Sequence, residues 1–263
     1  MKYHFLDQYR EVDSFLHRLD PRAKFIATLA LVTAIVLIPR ASWLAYGLFL
    51  ILIFALLLLS RVPPLYVLRR SLTVLPFVLM IAIFMPFFKE GTAVWGFDLG
   101  SWHIGVTREG LELVGGILAK AWLSVLALIL LTATTSMADL LKGLEKLKMP
   151  SIMVMLMSFM YRYLFVISDE SARLRLARDS RSFGGGVRLH VRALGYMAGA
   201  LFLRSFERGE RIYGAMLSRG FDGHSRSLNE LSFGISDVAF MIIIVLAAIV
   251  IGLSPLLTRN LIG

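Results

Sequence analysis

Long apolar runs separated by short polar connections dominate the chain. Five runs are long enough to cross about 30 Å of hydrocarbon as helices, which takes roughly 17–25 residues. They lie near Ala23–Ile38, Trp43–Ser60, Leu72–Phe88, Leu113–Thr135 and Ile235–Leu257. The pattern predicts an all-α integral membrane protein with about five transmembrane helices.

Polar or helix-breaking residues interrupt two of these runs. Lys24 lies in the first run, which is short, and we expect its ammonium to snorkel to the lipid headgroups. Pro76 and Pro86 lie in the third run, where each removes a backbone hydrogen bond. We therefore expect the third helix to bend.

Two further apolar runs, Ser151–Ser168 and Leu189–Phe206, flank a strongly basic connection. If both crossed the membrane, that connection would lie outside, against the preference of Lys and Arg for the cytoplasm. We therefore predict two helices that lie along the cytoplasmic face or partly enter it.

The distribution of Lys and Arg orients the chain. The segment before the first span is basic, and the region 137–232 is more basic than acidic, whereas the connection 89–112 is acidic. The N-terminus is thus predicted to be cytoplasmic and the C-terminus outside. The predicted domains are 1–136 with four spans, 137–232 as a cytoplasmic or interfacial helical block, and 233–263 with the final span.

Composition supports a membrane protein and narrows its chemistry. Hydrophobic residues make up 57% of the chain, and the mean hydropathy is +0.74. A formal charge of +10 is compatible with binding of nucleic acid, with anionic lipid and with positive-inside topology. The last is the default for a membrane chain, so we expect a lipid bilayer and no nucleic acid as a partner. The chain has no cysteine, which excludes disulfides and thiolate metal sites.

Patterns typical of catalysis are missing from the sequence. The glycine run 184–186 continues into Val187 and Arg188 without the lysine of a phosphate-binding loop. The five histidines lack ligand spacing, and we expect His103 to be a solvated loop residue. Lys120 lies near enough to a helix end to snorkel, and no paired charges mark a transport path. The sequence predicts a non-catalytic chain that binds no metal or cofactor itself.

A repeated segment carries the main functional signal. Residues 173–185 and 211–223 superpose as R-[LI]-x-x-A-x-x-S-R-[SG]-F-x-G. Each copy has the form of a helix end that carries an arginine. Arg181 and Arg219 could interact with the helix dipole or with lipid phosphate, or they could dock onto a partner protein. The presence of two copies with the same surrounding residues favours docking. The predicted docking residues are Arg181, Arg219, Ala177, Ser180, Ala215, Ser218 and Gly220.

Four methionines form a second candidate surface. Met149, Met153, Met157 and Met160 are spaced to share one helix face, which would suit an adaptable contact with a partner or ordinary packing within the chain. A third motif precedes the first span. Asp20 is predicted to cap that helix with Pro21 at its first position, and Arg22 to anchor it at the headgroups.

The motif Leu19-Asp20-Pro21-Arg22, the basic block and the two Ala-x-x-Ser-Arg-[Ser/Gly] segments together resemble the transmembrane T component of energy-coupling factor transporters. The resemblance covers nearly the whole chain and is strongest for the cobalt-type members, CbiQ. The segment 215–221 is close to the family pattern Ala-Met-x-x-Arg-Gly-aromatic. Ser182 departs from it, because the family usually has glycine there, but Gly184 can still end the first helix.

The resemblance implies a subunit of a prokaryotic cytoplasmic-membrane importer. Two P-loop ATPase subunits would bind ATP and Mg, and a small membrane subunit would hold the substrate, with a metal-binding type favoured. Two coupling helices would carry Arg181 and Arg219 into grooves on the ATPases, and the methionine face would contact the substrate subunit. The expected cargo is cobalt or nickel. The alternatives are a shared T component for vitamin uptake, a stand-alone carrier or channel, and a membrane enzyme.

Overall fold

The computed structural model describes residues 14–39, 42–82, 93–99, 102–181, 186–223 and 233–262. The chain divides into two compact units, which are taken separately below. One contains the described residues before Leu144 and those from Phe233 onward. The other contains the described residues from Leu144 to Gly223.

The first unit is a helical bundle with a short hairpin. Its elements are α1 (Phe15–Arg18), α2 (Pro21–Leu37), α3 (Trp43–Ser60), α4 (Pro64–Ala82), β1 (Ala93–Leu99), β2 (Trp102–Thr107), α5 (Arg108–Thr134), the start of α6 (Met137–Lys146), and α9 (Ile235–Ile262). Helix α5 packs against α2, α3 and α4, and α9 packs against α2 and α3. Buried residues recur at helical spacing, as Ala27, Leu31 and Ile35 do on α2.

The outer faces of these helices remain apolar and exposed. On α3 the exposed side chains include Leu44, Ile51, Phe54 and Leu58. A soluble protein rarely exposes contiguous apolar patches of this kind, whereas a bilayer solvates them. Together with the buried face of each helix, this pattern confirms the predicted helical membrane fold, to which the structure adds one short hairpin.

Among the residues that the structure describes, four helices are both long and apolar enough to cross a membrane: Trp43–Ser60, Arg108–Thr134, Ser151–Asp179 and Ile235–Pro255. Three of them match predicted spans. Helix α2, with 17 residues, and α4, which contains Arg69 and Arg70, fall outside this length-and-composition criterion. The interfacial placement of the helix that begins at Ser151 stays a prediction.

Two predicted spans differ from the observed helices at their N-terminal ends. Helix α4 starts at Pro64 rather than Leu72 and runs through Pro76, while Pro86 lies outside the described residues. Helix α5 starts at Arg108 rather than Leu113, because the Thr107 hydroxyl accepts a hydrogen bond from the Gly110 amide. Apolar runs underestimate such helices because charged residues in their first two turns interrupt the run.

The predicted outer connection contains an antiparallel hairpin of β1 and β2. Ala93 pairs with Thr107 at one end and Leu99 with Trp102 at the other. His103 is on β2, opposite Asp98. Within the described parts of the chain, no group of three His, Asp or Glu residues is arranged to hold a metal ion.

The second unit consists of the end of α6, then α7 (Ser151–Asp179) and α8 (Val187–Leu217). Helix α6 ends with Lys148 in the left-handed conformation, at φ 69°. The Met149 amide donates to the Leu144 carbonyl at 3.2 Å, which closes a Schellman motif. Pro150 directly follows, so the chain leaves the helical conformation before α7 begins.

Candidate docking surface

The second repeated segment forms a complete helix cap at the end of α8. The Phe221 amide donates to the Met216 carbonyl at 3.1 Å, and the Gly220 amide donates to the Leu217 carbonyl at 3.0 Å. Gly220 itself has φ 76°, in the left-handed region. These features define a Schellman motif, in which glycine is favoured because it has no Cβ. Arg219 is therefore the last residue before the chain reverses.

The first repeated segment shows the same backbone pattern at the end of α7. The Ser180 amide donates to Leu176 and the Arg181 amide to Arg178, each at 3.0 Å. The corresponding bonds in the second copy join Ser218 to Gly214 and Arg219 to Met216, also at 3.0 Å. The two arginines thus occupy equivalent positions on two helix ends. Ser182 and Gly184, which were predicted to influence the first stop, lie outside the described residues.

The two serines use their hydroxyl groups within their own helices. Ser180 Oγ donates to the Ala177 carbonyl at 3.0 Å, and Ser218 Oγ donates to the Gly214 carbonyl at 2.9 Å. The Ser180 hydroxyl satisfies a carbonyl that the Arg181 amide bypasses, and the Ser218 hydroxyl adds a second bond to the carbonyl that already accepts from the Ser218 amide. This local bonding gives the serines a role in shaping the helix ends.

The arginines of the repeat fall into two groups. Arg173 Nε lies 3.7 Å from a Glu170 carboxylate oxygen, and Arg211 Nη1 lies 3.9 Å from a Glu207 carboxylate oxygen. Arg181 and Arg219 are exposed, and their guanidinium groups have no hydrogen bond or ion pair with any other described residue. The first arginine of each copy thus has a carboxylate neighbour in its own helix, whereas the second has no described side-chain partner and is available.

Small residues lie beside both available arginines. Ala177 and Ala215 precede Arg181 and Arg219 by four residues, so each shares a helix face with its arginine. Both alanines are exposed. A short side chain at this position leaves room for another protein to approach the backbone next to the guanidinium.

An open cavity of about 610 Å³ lies between α7 and α8. Apolar side chains from both helices line it, and charged groups at one part of the wall include Glu170, Arg204 and Arg208. Met216 and Phe221, which close the cap of α8, also line this groove. The second helix end therefore borders the groove.

The predicted methionine face is only partly correct. Met149 precedes α7, because the Schellman motif and Pro150 separate it from that helix. Met153, Met157 and Met160 are on α7 with 50%, 36% and 63% of their surface exposed, but they do not line the groove. The groove is lined by Met155, and the contact of the other methionines with a partner stays a prediction.

In the other unit, the N-terminal motif forms a polar cluster at the start of α2. Asp20 caps this helix by accepting a hydrogen bond from the Arg22 amide at 2.9 Å, with Pro21 at the first helical position. The Arg22 guanidinium lies 3.6 Å from the Asp20 carboxylate and 5.9 Å from the Phe233 ring centroid. These contacts hold Arg22 within the protein.

Lys24 contradicts the expectation that it snorkels to the headgroups. It is only 5% exposed, and its ammonium donates to the Thr134 carbonyl at 3.0 Å and the His17 carbonyl at 3.5 Å. The carboxylates of Asp139, Asp20 and Asp237 also act electrostatically on it. The end of α5 and the starts of α2, α6 and α9 thus enclose this charge. Lys120, by contrast, is partly exposed and donates to the Val36 carbonyl in the last turn of α2 at 2.7 Å.

Asp237 completes this cluster and was missed in the sequence. Its carboxylate accepts hydrogen bonds from the Asp20 amide at 2.7 Å and from the Gly234 amide at 2.8 Å. The spacing of Gly234 and Asp237 is that of a capping residue and the third helical position, which was the available sequence signal. The link to Asp20 joins residues 217 positions apart and has no local signature.

The helical bundle, with its long apolar helices, defines a multi-pass membrane protein. Residues 13–230 match the family of the cobalt transport protein CbiQ, and the chain belongs to this family of energy-coupling factor T components. The family match covers the N-terminal motif and both arginine segments.

Individual relatives agree with this membership. The chain is 35% identical over 231 residues to the energy-coupling factor transporter transmembrane protein EcfT of Thermanaerovibrio acidaminovorans, covering 83% of each chain. It is 30% identical over 229 residues to EcfT of Listeria innocua, covering 83% of this chain and 84% of that one. It is also 30% identical over 207 residues to a putative fused cobalt transport protein CbiMQ of Methanocorpusculum labreanum. That match covers 77% of this chain but only 34% of the fused relative.

Proposed function

We propose that this chain is the transmembrane coupling subunit of an ATP-driven importer. Two P-loop ATPase subunits dock on the ends of α7 and α8, and a small membrane subunit holds the substrate. ATP and Mg belong to the ATPases, so the coupling subunit contributes docking and force transmission. The N-terminus is cytoplasmic and the protein resides in a prokaryotic cytoplasmic membrane.

The observation that carries this proposal is the pair of equivalent helix ends with available arginines. Arg181 and Arg219 have the same backbone surroundings, and both are exposed without a described side-chain partner. A planar guanidinium at a rigid helix end suits bidentate contacts to carboxylate or carbonyl oxygens. Two equivalent ends match a partner that presents two equivalent grooves, as a dimer of similar ATPases does.

Substitution of the two available arginines tests the docking role. Arg181→Ala and Arg219→Ala should each weaken retention of the ATPases during purification, and the double variant should be worse than either. A charge-assisted contact contributes about 1.5–3 kcal/mol, so each loss is about 10–150-fold in affinity. Transport should fall in parallel, while the amount of protein in the membrane stays unchanged.

The matched control is the Arg173→Ala/Arg211→Ala double variant, which removes the same amount of charge from the same two helices. We expect it to retain the ATPases, because these arginines pair with Glu170 and Glu207 in their own helices. Normal uptake and normal ATPase retention in the Arg181→Ala/Arg219→Ala variant would rule out the docking role.

We propose cobalt or nickel ions as the cargo, which the family match and the fused cobalt relative support. A shared T component for vitamin uptake is the second candidate, favoured by relatives whose names mention an energy-coupling factor without cobalt. Deleting the chain should abolish accumulation of radioactive cobalt or nickel and leave vitamin uptake intact. The opposite result would favour the shared vitamin type.

A further inference from the structure

Helices α7 and α8 have little apolar packing to fix their mutual position. Val154 is the one buried residue among those of α7, and α8, described throughout, has none. The open groove separates much of their facing surface. Because packed cores normally determine the angle between helices, another contact must restrict these two.

A side-chain ion pair joins the two helices. Arg204 Nη1 of α8 donates to a Glu170 carboxylate oxygen of α7. The Glu170 side chain is only 22% exposed, which limits competition from water, whereas Arg204 is 57% exposed. Glu170 also lies 3.7 Å from Arg173, but the Arg173 side chain is 73% exposed, so this contact within α7 contributes little to holding the carboxylate.

The ion pair lies far enough from the helix ends that a small rotation at the pair displaces Arg181 and Arg219 by several ångströms. Roughly 16 Å of chain at helical rise separates Glu170 from Arg181, and roughly 22 Å separates Arg204 from Arg219. A rotation of about 10° at the ion pair would therefore displace either arginine by about 3–4 Å. That displacement exceeds the tolerance of a hydrogen bond, so two rigid grooves could not both be filled.

We propose that Glu170 and Arg204 are positioning residues that set the separation of Arg181 and Arg219. This inference rests on the proposed function, because the separation of the two arginines affects transport only if both helix ends dock on ATPases. The pair itself is not part of the repeat, because Arg208 occupies the position in the second copy that matches Glu170. The ion pair thus introduces an asymmetry between two otherwise equivalent helices.

The separation can be measured directly because the chain has no cysteine. Nitroxide labels on Ser180→Cys and Ser218→Cys report the distance between the two ends by pulsed electron paramagnetic resonance. The full chain is measured in lipid nanodiscs without ATPases, so that docking does not hold the ends in place. We expect one narrow distance distribution for the otherwise unaltered chain.

Glu170→Gln and Arg204→Gln should each broaden this distribution at least twofold. The reversed pair, Glu170→Arg with Arg204→Glu, should restore the narrow distribution. Arg192→Gln is the matched control, since Arg192 is an exposed arginine of α8 that contacts Tyr196 in the same helix. It should leave the width unchanged.

A second readout uses the intact transporter complex with Ser180 and Ser218 in place. Glu170→Gln should raise the ATP hydrolysed per substrate imported several-fold, and the reversed pair should bring it back. Unchanged distance distributions in both single variants would overturn the positioning role. Broadened distributions together with full ATPase retention in the Arg181→Ala/Arg219→Ala variant would instead overturn the docking function and leave the positioning role standing.

Discussion

At the scale of single residues, Gly220 is the position where backbone geometry most narrowly limits the side chain. Its φ of 76° is unfavourable for any residue with a Cβ, although the space around it is open. The cost of a substitution there is thus conformational rather than steric. The same residue directs the chain away from Arg219, so the strain would act on the docking surface.

Gly220→Ala should destabilise the cap by about 1–2 kcal/mol, the cost of a left-handed L-residue. Hydrogen exchange of the Gly220 and Phe221 amide positions should then accelerate about 5–30-fold. Gly199→Ala is the control, because Gly199 is an exposed residue inside α8 with no atom near its missing Cβ. Alanine favours the helix there, so nearby exchange should slow. Equal exchange in the parent and the Gly220→Ala chain would contradict the assigned cap.

At this scale, sequence patterns predicted a feature correctly where residues close together in the sequence determine it. The pattern of Arg219 followed by Phe221 and Gly223 predicted a helix end, and the structure has one, with its cap at Gly220. Lys24 shows the limit of such patterns. Its carbonyl partner Thr134 is 110 positions away, so the sequence around Lys24 suggested a lipid-facing charge instead of a buried one.

At the scale of helices, Asp237 joins the start of α9 to the start of α2. One carboxylate oxygen accepts from the Asp20 amide and the other from the Gly234 amide. An asparagine has one carbonyl oxygen, so it can satisfy one of these two donors in the same manner. The other amide would then be left without its bond in a buried setting.

Asp237→Asn should lower the free energy of unfolding of the purified full chain by about 1–3 kcal/mol. Glu112→Gln is the matched carboxylate-to-amide control, since Glu112 is 49% exposed and pairs with Arg108 along α5. We expect its effect to stay within about 0.5 kcal/mol. Denaturant titration followed by tryptophan fluorescence measures both, and equal stabilities of the two variants would exclude the proposed helix-joining role.

Hydropathy located α3, α5 and α9 because these helices are apolar over most of their length. It misplaced the start of α4, whose first turns contain Arg69 and Arg70 and therefore do not look like a span. The β1–β2 hairpin was not predicted, because the connection 89–112 was considered only for its charge when the spans were oriented. The groove between α7 and α8 depends on how two helices pair, which one-dimensional periodicity does not encode.

At the scale of the whole molecule, the topology depends on the number of helices that cross the bilayer. The charge distribution predicts an odd number, with the connection around Ser101 outside and Ser180 in the cytoplasm. Helix α7 meets the length and hydropathy requirements of a span, so its placement is the main variable.

Single cysteines in this cysteine-free chain test the predicted topology. A membrane-impermeant maleimide should modify Ser101→Cys from outside the cell, and Ser180→Cys only after the membrane is permeabilised. The unaltered chain gives the background. Modification of Ser180→Cys from outside would place the end of α7 on the outer side and overturn the cytoplasmic docking surface.

The most direct test of the account is to identify what contacts the two helix ends in native membranes. A photo-crosslinking amino acid replaces Ala177 or Ala215, each one helical turn before an available arginine and each exposed. Ala198, an exposed residue of α8 distant in sequence from both ends, is the control position. We predict that both repeat positions crosslink to P-loop ATPases and that position 198 does not. Crosslinks to lipid alone, or to no ATPase at either end, would contradict the coupling role.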